Sequence, residues 1–340
     1  MTYIRTAPTS GPEIPTESAR TVKSTSDGAD RVFRLLLLGA GLTVLIIMIT
    51  IGLFLFFRGS TALLQAGPDF LTTQAWEPDS NNFGVAAVVI GTLLIAGVAI
   101  LFAVPLATGV ALYISEYAPR RIRSFLINLV DLMAAVPSVV YGLWGFALLQ
   151  EQVIPVTRWI SATFGWVPLL GISGTDPNDP LATETVYKSS TFIAGIVVAL
   201  MVMPIICSVM RESFSAAPPG EREGAYALGA TKWGVIRSVV VPFGLGGMIG
   251  GTMLGLGRAM GETIAVYLII SPIFVIQPEI LRSGASSVAA LIAQRFGAAT
   301  PFELSALMAA GLALFALTLV VNFSASAIIA RTRSGALSEA

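Results

Sequence analysis

The sequence has no histidine and a single cysteine, Cys207, inside an apolar run. Without histidine the chain lacks the usual general base, the commonest zinc ligand and the ordinary protonation switch near neutral pH. One cysteine makes neither an internal disulfide framework nor a CxxC metal site, so Cys207 is expected to pack. Lysine is nearly absent: Lys23, Lys188 and Lys232 are the only three, and none completes the GxxxxGK[ST] loop that cradles nucleotide phosphates. The chain is therefore not expected to hydrolyse ATP. With no His or metal-ligand cluster, and Asp131 lacking a second carboxylate for an acid–base pair, it is not expected to be an enzyme at all. Charge is thin, at 12% of residues, and its 20 basic and 20 acidic groups cancel. That balance predicts no nucleic-acid partner. What is present is apolar: 55% hydrophobic residues and a mean hydropathy of +0.80 place the chain in a lipid membrane.

Residues 1–30, rich in Thr, Ser, Pro and charge, read as a disordered tail. An uncharged run, Leu35 to Phe57, follows without a small-residue cleavage site and reads as a retained crossing helix. Further spans are expected at Phe83–Ser115, kinked or divided at Pro105; at Phe125–Leu149, interrupted by Pro137; and at Thr191–Met210, Phe243–Ile270 and Leu304–Ala330. The expected fold is an all-α membrane protein of six transmembrane helices over 31–333, with a short tail at 334–340. Of the 20 Lys and Arg residues, 14 fall in the tail, the 116–124 turn, the 211–242 loop and the C-terminus, against 5 in the other loops. The positive-inside rule then puts both termini in the cytoplasm. The external loop at 150–190 carries Trp159 and Trp166, as an interfacial helix would.

Between the fourth and fifth spans, Pro218-Pro219-Gly220 is a stop; Glu221 to Leu228 reads as a short helix ended by Gly229, and Ala230 to Ser238 as a second. Within the loop at 215–242, Glu223-Gly224-Ala225, three residues, Gly229, nine residues and Val239-Val240-Val241-Pro242 resemble the EAA loop of ABC importer permeases. Gly224 departs from the family's alanine, at a helix-propensity cost of about 1 kcal/mol. Val239 and Val241 depart in size only. In that family the loop seats on a separate nucleotide-binding subunit, so the resemblance implies no cofactor on this chain and ATP on a partner. The plainer reading is an amphipathic loop helix.

The stretch from Phe243 to Thr263 holds eight glycines. Counting about 100° per residue from Gly247, Gly251, Gly255, Arg258 and Glu262 fall near 40°, 80°, 20° and 60°. Both charges are thus expected on one small-residue face that meets protein or a pathway. Arg258 and Glu262 can pair within the helix, or Arg258 can offer its fork to a passing oxyanion while Glu262 orients it and prevents trapping. Asp131 either lines the pathway or pairs structurally. Ser138 and Tyr141, beside the Pro137 break, are candidate neutral ligands, or their hydroxyls bond nearby carbonyls. Thr263 completes the candidate set.

Asp131-Leu-Met-Ala-Ala-Val-Pro-Ser-Val-Val-Tyr-Gly-Leu-Trp-Gly145 and Gly257-Arg-Ala-Met-Gly-Glu-Thr-Ile-Ala-Val266 resemble signatures of the PstC-type phosphate permeases, over roughly residues 32–330. The resemblance implies a type I, MetI-like ABC importer permease fold in a bacterial inner membrane. It also implies a PstA-like second permease subunit, two PstB-like ATPase subunits and an external PstS-like phosphate-binding protein. Arg258 and Glu262 match intramembrane charges implicated in phosphate passage; a glutamate is more usual in place of Asp131. Sulfate, molybdate or another oxyanion could use the same arginine, and an ion-coupled secondary transporter would need no such loop.

Overall fold

A computed structural model describes residues 28–177, 179 and 184–333. Nearly all of the tail expected at 1–30, and all of 334–340, lie outside the described residues. The chain divides into a unit up to Ile51 and a unit from Gly52 onward. Among the described residues, six helical segments are long and apolar enough to cross a membrane: Asp30–Leu71, Ala86–Tyr117, Ser138–Phe164, Thr191–Ser215, Lys232–Met260 and Pro301–Ser324. The all-α, six-crossing expectation holds, with changes at several boundaries.

The first helix, α1 (Gly28–Ala66), is followed by a small antiparallel hairpin, β1 (Trp76–Glu77) with β2 (Asn82–Phe83). Next comes α2 (Ala86–Leu112), which runs through Pro105 without dividing there; its irregularity is a π turn at Tyr113–Tyr117. A separate amphipathic helix, α3 (Arg120–Ala135), precedes the Pro137 break. The third crossing is therefore not Phe125–Leu149. It begins at Ser138 with α4 (Ser138–Trp144), passes a π turn and continues as α5 (Gln150–Phe164), absorbing the first part of the expected external loop. The fourth crossing is α6 (Thr191–Ser215).

The 219–240 segment forms α7 (Pro219–Ala227) and α8 (Lys232–Val235), and α8 passes through a π turn directly into α9 (Val241–Met260). The fifth crossing thus starts at Lys232, before the expected Phe243. It also stops early: α9 ends at Met260, and only α10 (Ile264–Ile269) continues toward the expected Ile270. After a loop come α11 (Val288–Arg295) and α12 (Pro301–Arg333).

Close packing comes from small side chains. Ala99, Ala103, Ala107 and Ala111 form a fully buried stripe on α2, the helix most extensively packed against α6. Gly244, Gly251 and Gly255 let α9 approach α6 closely; a Cβ on Gly255 would lie 2.5 Å from Ile206 Cδ1 and one on Gly251 3.2 Å from the Ile206 carbonyl oxygen. Lacking a hydrophobic drive between helices in lipid, such close contact gains dispersion energy instead. Gly91 on α2 is tighter still, since an added Cβ would overlap the Ser286 carbonyl oxygen, whereas Gly97 on the same helix has open space. Gly91→Ala is expected to destabilise by about 3 kcal/mol and Gly97→Ala to be nearly neutral. Thermal unfolding of the two variants in one detergent checks this.

The ends of the crossings at 165–190 and 270–287 are laced by backbone bonds, Ile280 N–H to Leu169 O (3.0 Å), Phe192 N–H to Ile280 O (2.9 Å) and an isolated bridge between Ser190 and Ser283. Glu279 stands at this junction. Burial would push its carboxyl up, but donation from the Ser173 hydroxyl and N–H (3.1 Å) and from Arg282 (3.3 Å) outweighs that and holds it below the usual range. A lowered folded-state pKa means stability present above the ordinary carboxylate pKa and lost as pH falls through the depressed value. Wild type is therefore expected to lose about 1 kcal/mol relative to Glu279→Gln between pH 6 and pH 3, read as a narrowing gap in melting temperature.

Candidate functional site

Arg258 lies on α9 two residues before its end and is exposed, making no ion pair or hydrogen bond among the described residues. It lines an open cavity of about 700 Å³ with Gly250, Met253, Leu254 and Gly257 of α9, Ile205 of α6, and Asn322 and Ser326 of α12. The expectation that both charges share the glycine face fails in detail. The packed glycines turn to Ile206, Val209, Ser213 and Phe214 of α6, while Arg258 stands with Gly250, which faces open space, and Gly257, where an added Cβ would lie 3.9 Å from Asn322 Oδ1.

Glu262 lies beyond the end of α9, so the helical pairing with Arg258 cannot form. Its side chain is buried, and Oε1 accepts the Ala265 N–H (3.2 Å), capping the first turn of α10. The physical reason is the break at Gly261–Thr263: once the helix ends, the four-residue spacing no longer sets neighbours, and α10 offers N–H groups needing acceptors. Thr263 closes the same turn by donating to the Gly261 carbonyl (3.2 Å).

Tyr141 donates to the Met133 carbonyl (3.0 Å), bridging the break between α3 and α4. That carbonyl closes the last turn of α3, already accepting the Val136 N–H at 3.3 Å; Pro137, four residues on, has no N–H to offer it. Ser138 opens α4 half-buried. Next along α4, Gly142 admits α10 closely: an added Cβ would sit 2.8 Å from Ala265 Cα. α4 and α10 therefore meet closely at Gly142 and Ala265, the residue whose N–H Glu262 caps. Tyr141 is the neighbour of Gly142, and no hydrogen bond joins Ser138 or Thr263 to the facing helix among the described residues. Asp131 is held elsewhere, exposed on α3 and accepting from Ser208 of α6 at 3.4 Å.

The expected helix–glycine–helix order holds, but the first helix already begins at Pro219 and the second, expected to end at Ser238, begins at Lys232 and runs on into α9. Gly229 takes a left-handed φ of +84° and ends α7, with Gly229 N–H bonded to Tyr226 O and Ala230 N–H to Ala225 O. Glu223 and Gly224 are exposed, Ala225 packs partly against the core, and Pro242 follows directly on the π turn at Ile236–Val240 within the continuous segment Lys232–Met260. Tyr226, Leu228 and Trp233 project as large exposed apolar groups, Leu228 at 92%. Sequence reasoning missed Asn322 and Ser326 beside Arg258, although polar residues inside an apolar run were the available signal. It also missed the ion pair joining Glu116 to Arg222, which no local spacing encodes.

Six crossings, a helix–glycine–helix protrusion running into the fifth of them, and in that same helix an arginine without an ion pair among the described residues define a transporter permease domain. Comparison with known proteins agrees. The chain belongs to the family of binding-protein-dependent transport system inner membrane components, whose profile matches residues 103–334, and is of its PstC type. It is 38% identical over 304 residues to the phosphate transport system permease protein PstC of Xylella fastidiosa, covering 89% of this chain and 91% of that one. The Haemophilus influenzae PstC is 38% identical over 285 residues (82% and 86% covered), and PstC 2 of Mycobacterium tuberculosis 37% over 303 (88% and 91%). The fold is shared with a bacterial alginate ABC transporter chain at TM-score 0.58 and 17% identity, covering 89% of this chain and 97% of that one. A chain of the inward-facing MetNI methionine ABC transporter matches at TM-score 0.50 and 16% identity (71% and 93%). The protein is thus a multi-pass inner-membrane permease.

Proposed function

We propose that this chain conducts inorganic phosphate into a bacterial cell as one of two permease subunits, beside a PstA-like partner. Two PstB-like ATPase subunits would bind and hydrolyse ATP, and an external PstS-like protein would deliver phosphate. The observation that carries this reading is an intramembrane guanidinium without a neutralising partner among the described residues, on a cavity wall, in a chain similar over 88–89% of its length to proteins named as phosphate permeases. A fork of N–H donors suits a tetrahedral oxyanion. With only the neutral groups of Asn322 and Ser326 beside it, Arg258 would supply one positive charge, enough to admit the anion and weak enough to let it leave.

The excess of Lys and Arg at the 116–124 turn, the 211–242 loop and both termini supports a topology with those segments in the cytoplasm. The 219–242 segment is then the coupling loop. Because α8 and α9 form one helical segment, Lys232–Met260, a displacement at the ATPase would travel about 40 Å along it to the end that carries Arg258.

The test is ATP-dependent uptake of radiolabelled phosphate into vesicles holding the reconstituted complex, with sulfate and molybdate as competitors. Uptake insensitive to both is expected. Inhibition by either would broaden the substrate to oxyanions in general, and absence of phosphate uptake would sink the assignment.

A further inference from the structure

We propose that Arg222 is a positioning residue of the transport cycle, the clamp through which movement of α7 reaches the inner ends of α2 and α6. The inference rests on the reading of 215–242 as the coupling loop. Nη1 of Arg222 lies between the two carboxylate oxygens of Glu116, donating to Oε2 at 3.1 Å with Oε1 at 3.0 Å. Nη2 donates to the Phe214 carbonyl. Glu116 belongs to the π turn that ends α2, and its side chain is only 8% exposed. Phe214 belongs to the last turn of α6, where a helix leaves carbonyls unpaired and favours a cation. One side chain of the loop thus ties two crossing helices.

Neighbouring contacts brace the same junction. The Lys232 ammonium sits 4.5 Å over the Tyr117 ring, joining α8 to that π turn, and Arg123 Nη2 donates to the Ser215 hydroxyl at 3.1 Å, joining α3 to the end of α6. α7 itself buries no residue fully, so apolar packing alone holds it weakly. An ion pair this sheltered resists opening because separation leaves a charge without its partner. A push on α7 is therefore passed to α2 and α6 as a rigid displacement, in parallel with the path along α8 and α9.

The experiment uses the whole importer in proteoliposomes and follows ATP hydrolysis, phosphate uptake and retention of the ATPase subunit. For Arg222→Gln and Glu116→Gln, the ATPase subunit is expected to stay bound and hydrolysis to remain within about twofold of wild type, while phosphate imported per ATP falls about tenfold. A second variant, Glu116→Cys with Arg222→Cys, is uncoupled as the free dithiol and regains most of the wild-type ratio once a short bis-maleimide bridges the two positions. The fully buried Cys207 does not compete for the reagent. An unchanged ratio in Arg222→Gln, loss of the ATPase subunit from that variant, or a bridged variant that stays uncoupled would each overturn the clamp. Failure of the phosphate reading shows separately, in wild type.

Discussion

Arg258→Gln is expected to cut phosphate uptake about 100-fold while the complex assembles normally, because one charged multi-donor contact contributes about 1.5–3 kcal/mol. The variant separates function from folding because of where the residue lies. Arg258 is exposed and makes no hydrogen bond or ion pair among the described residues, so glutamine leaves no buried partner stranded and removes no packing on α6. Lysine keeps the charge without the fork, and Arg258→Lys is expected to retain intermediate uptake. Glu262 behaves differently. Glu262→Gln keeps an oxygen that can accept the Ala265 N–H and should transport nearly as wild type; Glu262→Ala uncaps α10 and should lower thermal stability by about 1 kcal/mol. Uptake and melting temperature measured on all four variants check the division. Normal uptake by Arg258→Gln would make the arginine a bystander in its cavity.

That contrast also marks where sequence reasoning reached its limit. Long apolar runs, the small-residue character of the glycine-rich helix and the Gly229 stop were legible because each expresses a local rule: hydropathy against membrane thickness, small residues where helices meet, and glycine where φ must be positive. The shared face of Arg258 and Glu262 was an extrapolation of helical periodicity, valid only while the helix continues. α9 ends at Met260, and nothing in Gly261-Glu262-Thr263 distinguishes it from seven earlier glycines that the helix tolerates. The third crossing was misplaced for a related reason. Pro137 was correctly seen as a break, but hydropathy averages over both sides of it, so α3 and α4 merged into one span and the less apolar α5 fell into a loop. Tertiary pairs such as Glu116 with Arg222, separated by 106 residues, have no local signature.

Leu228→Asp combined with Trp233→Ala is expected to abolish uptake by releasing the ATPase subunit, leaving the permease folded. Tyr226 and Leu228 of α7 and its closing turn, and Trp233 in the first turn of the fifth crossing, are exposed by 48%, 92% and 61%, where the proposed topology puts the cytoplasmic face. Lipid does not explain exposed apolar groups there. An unsatisfied apolar cluster on a protrusion is the usual mark of a docking surface, and a few aromatic and aliphatic anchors typically carry about 2–4 kcal/mol each. Losing two anchors should weaken the ATPase subunit's binding by more than about 100-fold, enough to lose it during co-purification. Neither substitution touches the folded core: no residue of α7 is fully buried, and Leu228, outside the helix, shapes the turn through its backbone N–H to the Gly224 carbonyl, which aspartate keeps. An unchanged melting temperature with a lost ATPase subunit is the expected pair of readings. A complex that stays intact would move the docking surface elsewhere and leave the helix–glycine–helix protrusion without its proposed partner.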